Sequence, residues 1–217
     1  INNSGTTWEG TLFSIVSDDD LGDNNDDWIG CDTNLSLGFT YNGDNHDGDG
    51  TGLTYGSSPP AVGISFLKTP KRSGGTEYGL TGFSSFTANQ FPFCWRDPSS
   101  PTEAYNFMKG LQRDGTPHIN VVNMKKTRYL FPGEPETDLG WTEKDGRIEN
   151  CGGDTTGAVQ ASPPGDRKYV MSTGDTLLTI SNHEKVTIVC SQQIARGSHY
   201  LNSVTKLKRI SRDAHLF

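Results

Sequence analysis

Ten aspartates and one glutamate, with no lysine or arginine among them, fall in the first 67 residues of this chain. The aspartates form two runs: Asp18, Asp19, Asp20, Asp23, Asp26, Asp27 and Asp32, then Asp44, Asp47 and Asp49. Folding brings such carboxylates together, and two unit charges about 4 Å apart repel by about 4 kcal/mol at an effective dielectric of about 20. A hard cation offsets that repulsion, and calcium, which takes six to eight oxygens at adaptable geometry, is the expected ion. The expected ligands are Asp18, Asp20, Asp23, Asp27, Asp32, Asn42, Asp44 and Asp47. Alternate residues of an extended segment point the same way, so Asp18 and Asp20 can chelate together. Residues 45–50, NHDGDG, carry oxygen ligands at positions 1, 3 and 5 and Gly at 6, like the first half of an EF-hand loop. Position 12 is Gly56 instead of a bidentate Glu, and no helix is expected on either side, so this is not an EF-hand. The competing reading is two solvated acidic loops.

Other chemistry has weaker support. No GxSxG, HExxH or Gly-rich phosphate loop occurs. The five histidines, at 46, 118, 183, 199 and 215, do not pair at ligand spacing. Carboxylates are too abundant for a glycosidase pair to stand out. Trp28, Tyr41 and Tyr55 flank the acidic loops, where they suit either stacking on sugar rings or plain hairpin packing. The net charge of −7 and the absence of a basic stripe argue against nucleic acid. No apolar run is long enough to cross a membrane as a helix.

Cys31, Cys94, Cys151 and Cys190 show no CxxC spacing, which argues against a zinc knuckle. Disulfide and free thiol both stay open for Cys94 and Cys151, whereas Cys190, in the apolar run VTIVC, reads as a buried thiol.

The elements that must position these residues are short strands. With 26 Gly and 11 Pro, few long runs of helix formers, and four Trp, ten Phe and seven Tyr as core material, the chain reads as mainly β. Strands are expected at 8–16, 28–41 (as a hairpin or bent strand), 61–67, 76–88, 119–122, 128–131, 168–172 and 176–180. EKVTIVCSQQIA (184–195) reads as a long central strand. A helix starts at Ser100-Pro101-Thr102-Glu103 and is expected to run to Asp114-Gly115. A second spans Leu201 to Leu216 with Val204, Leu207, Ile210, Ala214 and Leu216 as its apolar stripe. Residues 132–167 read as long loops anchored by Trp141. The expected architecture is a β-sandwich with two short peripheral helices and long Gly/Pro/Asp-rich loops, in one domain over 1–217, with a split near 90–100 as the alternative. The missing initial Met and the ending AHLF inside a helical pattern read as a piece of a longer parent.

SDDDLGDNNDDWIGCDTNLSLGFTYNGDN (17–45), YGSSPPAVGISFLKTP (55–70) and PPGDRKYVMSTG (163–174), followed by EAYNFMKGLQRDGTP (103–117) and the segment 194–217, resemble parts of large secreted proteins of Bacteroidetes and Ignavibacteria-type bacteria. Those proteins are mostly uncharacterised surface or extracellular chains, often exported by type IX secretion. Where they commonly have Gly-Pro-Phe, this chain has Gly174-Asp175-Thr176. The resemblance implies export to the cell surface or medium and supplies no catalytic residues. The expected function is therefore a non-catalytic, calcium-stabilised extracellular module with a structural, adhesive or assembly role. Its partners would be other extracellular domains or copies of itself. A carbohydrate-binding or carbohydrate-active module, with glycans as ligands, and a subunit of an extracellular filament or sheath are the alternatives.

Overall fold

The computed structural model describes residues 1–48, 54–87, 93–153 and 157–216. Two antiparallel sheets carry the fold. The larger uses β2 (Asp27–Asp32), β3 (Leu37–Asn42), β6 (Ala61–Lys68) and β13 (Val189–Ala195), in the order β13-β6-β3-β2. The smaller uses β1 (Leu12–Asp18), β7 (Gly82–Phe86) and β12 (Lys168–Gly174), in the order β1-β12-β7. Among the described residues three two-stranded ribbons accompany them: β4 (His46–Asp47) with β5 (Gly56–Ser57), β8 (His118–Asn120) with β9 (Lys125–Thr127), and β10 (Arg147–Ile148) with β11 (Val159–Gln160). The protein is mainly β, as its composition implies.

The sheets share a core. Ile29 and Cys31 of β2 and Phe66 of β6 cluster with Phe83 of β7 and with Tyr169 and Met171 of β12. Gly38 on β3 lets them approach closely: a Cβ there would lie 2.8 Å from the Tyr169 ring and 2.9 Å from that of Phe83. The other face of β3 presents Leu37, Phe39 and Tyr41 to Val204 and Leu207 of a helix, α2, spanning Tyr200–Ala214. This period-2 split explains why all six residues of β3 are buried.

The buried stripe of α2 is Ser203, Val204, Leu207, Lys208 and Ser211. Ile210 and Leu216, expected on that stripe, are exposed. Small hydroxyl residues win the contact because they let the helix lie close to the sheet. Ser211 Oγ sits 2.7 Å from Ser65 Oγ, and Ser203 Oγ donates to the Pro59 carbonyl at 2.7 Å.

The first helix, α1 (Pro101–Met108), starts as predicted, with Ser100 accepting the Glu103 N–H. It ends six residues earlier than predicted, at Met108. Gly110 takes φ +71°, and a Cβ there would come within 2.2 Å of the Arg128 carbonyl oxygen.

Strand β13 differs most from expectation. It begins at Val189 and lies at the sheet edge, paired only with β6. Val189, Cys190 and Ile194 are exposed, so Cys190 is a free surface thiol and not a buried one. An apolar run marks a strand without saying whether both of its faces are covered. The expected strand at 176–180 is reduced to one bridge, Ile180 to Trp8. Cys94 and Cys151 form a disulfide, and Cys31 is a buried thiol. No helix among the described residues is long and apolar enough to cross a membrane.

His118 of β8 shows what burial does to a titratable group. Its Nε2 lies 2.9 Å from Ser84 Oγ, and both residues are buried. Ser84 also donates to the Leu111 carbonyl, so its hydroxyl is committed to structure. Desolvation, helped by the charge of Arg147, pushes the imidazole down to about 3. A base depressed in the folded state leaves stability intact above its unfolded pKa of about 6.5 and drains it as pH falls towards 3, by about 1.4 kcal/mol per unit. Urea unfolding at pH 7, 6, 5 and 4 should therefore show His118→Asn closing its deficit against the parent by that amount per unit below pH 6. A constant difference would refute the assignment.

Candidate metal centre

The two acidic runs meet at one end of the larger sheet. Asp27 opens β2 and stands opposite Asn42, the last residue of β3. Asp47 lies in β4, just beyond that hairpin. The loop between β1 and β2 folds back over both. Asp23 N–H donates to Asp47 Oδ1 at 2.8 Å, and Tyr55 N–H donates to Oδ2 of the same carboxylate. Asp26 accepts from Asn42 Nδ2 at 2.7 Å and from Gly48 N–H at 3.2 Å. Gly22, at φ +77°, makes the closure possible: a Cβ there would fall 1.9 Å from Asp47 Oδ2.

Asp27 and Asp47 have no solvent exposure at all. Among the described residues, no Lys, Arg or His forms an ion pair with Asp19, Asp20, Asp23, Asp26, Asp27, Asp44 or Asp47. Asp47 is satisfied by its two backbone donors. Asp27 is not. Its Oδ2 accepts the Leu21 N–H at 3.2 Å, while its Oδ1 is buried without a partner among the described residues. Burial first, then the charges of Asp26, Asp47 and Asp19, push the Asp27 carboxyl up to about 9. Burial likewise raises Asp26. Without a cation such a group takes a proton, so a carboxyl held near 9 is neutral at pH 7, and an ion would bind there by displacing that proton.

No family model matches this chain. No curated protein and no solved structure matches it either. The site is therefore read from its own geometry.

The remaining expected ligands are spread around this knot. Asn42 is buried beside Asp26, its Oδ1 turned to the Asp44 N–H at 2.9 Å. Asp44 is exposed and accepts from His46 N–H at 2.7 Å. Asp23 Oδ1 accepts from the backbone and side chain of Asn25. Asp49 and Gly50 of the EF-hand-like segment lie outside the described residues.

Two expected ligands are engaged elsewhere. Asp32 closes β2 at the far end from Asp27, about 16 Å along the strand at roughly 3.3 Å per residue. There its Oδ1 caps the N–H groups of Asn34 and Leu35, and its Oδ2 sits 3.4 Å from Lys208 of α2. Asp18 pairs with Lys168 across the β1–β12 ladder at 3.4 Å.

A second cluster forms outside the knot. Asp18, Asp20 and Asp166 bring carboxylate oxygens within 4.8 Å of one another. Among the described residues this is the only trio of possible ligand groups within that span, but Asp18 and Asp20 are exposed, and Asp18 already has its lysine. Water and Lys168 offset its repulsion. The buried pair has neither, so Asp27 makes the stronger demand for an ion. Asp19, Asp26 and Asp166 were not among the expected ligands. Asp19 and Asp26 sit inside the same acidic run and differ from their neighbours only by the side of the loop they face. Asp166 is brought in from just before β12, which no local pattern reveals.

Proposed function

We propose that this chain is a non-catalytic extracellular module whose amino-terminal loops are fastened by a calcium ion, serving a structural or adhesive role in a surface protein. One observation carries the reading: among the described residues the buried Oδ1 of Asp27 has no partner, and no basic side chain pairs with the carboxylates around it. The charges of Asp26, Asp47 and Asp19 bear on Asp27, Asn42 bonds to Asp26, and loop carbonyls can supply the further oxygens that calcium accepts. Magnesium, which requires near-octahedral geometry and keeps its waters, suits a buried loop knot less well. The Cys94–Cys151 disulfide agrees with an oxidising compartment. Export as part of a bacterial surface protein rests on the sequence resemblance.

A ligand that binds only the folded state stabilises it by about 2.7 kcal/mol at 100 times its dissociation constant. For a chain of this size that is a rise of about 5–10 °C in Tm. Thermal melts with calcium and with EDTA should show this shift in the parent. Asp27→Asn should abolish it, whereas Asp18→Asn and Asp166→Asn should leave it in place. An unmoved midpoint in the parent sinks the metal reading, and a shift lost only with Asp18 or Asp166 moves the site to the exposed trio.

A further inference from the structure

A cleft of about 360 Å³ opens between the β2–β3 hairpin, the loop after β9 and the start of α2. Its aromatic wall is made by Trp28, Tyr41 and Tyr200. Trp28 and Tyr41 are direct partners across β2 and β3, with ring centroids 6.1 Å apart and planes inclined at 55°. The indole N–H of Trp28 is taken by the Ser162 carbonyl at 2.9 Å, which fixes the ring and leaves its apolar surface as the wall. Tyr200 is held by its own N–H, which donates to Asn45 Oδ1 at 3.0 Å.

The polar wall carries both signs of hydrogen-bonding group. Glu136 is set in place by Asn202 Nδ2, at 3.0 and 3.3 Å to its two oxygens, and lies 3.5 Å from His199 Nε2. Asp138 and Lys144 form a solvent-facing pair at 3.3 Å. These groups stand on one lining with the aromatic rings.

That combination selects among ligand classes. Two carboxylates against one ammonium disfavour a phosphate or other anion. Lys144 disfavours a quaternary ammonium, which an aromatic cage would otherwise suit. Three charged groups in so small a cleft disfavour a lipid or an apolar peptide. A sugar ring meets every wall. Its axial C–H groups carry slight positive charge and lie well on the electron-rich face of an aromatic ring. Its hydroxyls both donate and accept, so they use the carboxylates and the ammonium together. The volume lies at the low end for ligand pockets, about 300–1,000 Å³, and accommodates one or two rings.

We propose that this cleft binds one or two pyranose units of a neutral saccharide. Trp28 and Tyr200 supply the stacking surface, Glu136 and Asp138 accept from hydroxyls, and Lys144 donates to ring or hydroxyl oxygens. This goes beyond the calcium reading and uses none of its proposed ligands. The metal test reads a melting midpoint and this one reads a titration, so either can fail alone.

The test uses the full chain in calcium buffer, with ligand-observed NMR and tryptophan fluorescence. The probes are the methyl glycosides of glucose, galactose, mannose and N-acetylglucosamine, and the β-1,4-linked disaccharides of glucose and N-acetylglucosamine. At least one should bind with Kd of about 1 mM or tighter. Trp28→Ala should weaken it at least about tenfold. Because Trp28 also packs on Tyr41, Tyr200→Ala and Glu136→Gln provide independent readings and should each weaken it by about the same factor. The proposal is overturned if folded protein binds none of these sugars on the order of 10 mM, or if binding ignores both Tyr200→Ala and Glu136→Gln. It is equally overturned if tetramethylammonium binds with that variant dependence and the sugars do not.

Discussion

Glu143→Ala should lower stability by about 3–5 kcal/mol, the usual result of leaving one member of a buried ion pair alone. Glu143 is 1% exposed and holds three partners. Its Oε1 accepts from Arg167 Nε at 2.8 Å and from Ser162 Oγ at 2.7 Å, and its Oε2 accepts from the Ile29 N–H at 2.7 Å. Arg167 is itself buried and gives a further bond to the Pro163 carbonyl. Removing the carboxylate therefore strands a guanidinium, a hydroxyl and a strand amide together. The double replacement Glu143→Leu with Arg167→Met should recover much of the loss, because it removes both members of the ion pair, although Arg147 also loses the charge of Glu143. Urea unfolding of Glu143→Leu, Arg167→Met and the double closes the cycle. A Glu143→Ala variant within about 1 kcal/mol of the parent would show that this network contributes no more than an exposed contact does.

Trp141→Ala should cost a similar amount, about 3–5 kcal/mol, or a fall in Tm of about 10 °C. The side chain is fully buried, edge-on to Phe131 with centroids 5.0 Å apart, and its indole N–H donates to the Gly146 carbonyl at 2.8 Å. Alanine would leave a cavity against the shared core and an unpaired carbonyl. Trp141→Phe keeps much of the ring and loses the donor, so it should cost only about 1–2 kcal/mol. Differential scanning calorimetry of both variants checks the order. Equal effects from Ala and Phe would assign the stabilisation to the hydrogen bond instead of the packing.

Much of this framework is legible in the chain. The alternation in WIGCDTNLSLGFTY marks 28–41 as a hairpin or a bent strand, of which the structure has the hairpin β2–β3, and AVGISFL marks β6 almost to the residue. Trp141 stands out as an anchor because it is the only large aromatic side chain in a long turn-rich stretch. What was not legible depends on distant partners. Nothing near Asp32 announces Lys208, and nothing near Glu143 announces Arg167. The aspartates around Asp27 are identical in type, so sequence gathers them but cannot sort the buried from the exposed. Trp28 and Tyr41 admitted both sugar stacking and hairpin packing. They do pack together across the hairpin, and they also form a wall of the cleft.

The pairing of β1 has a consequence for synthesis. Among the described residues its only ladder partner is β12, at least 150 residues further along the chain. At about 5–20 residues per second, a ribosome leaves β1 without a mate for roughly ten to thirty seconds. Until Lys68 is made, the emerged segment carries ten aspartates and one glutamate and no lysine or arginine. Mutual repulsion over that first stretch, before any basic side chain has emerged, opposes association between nascent copies.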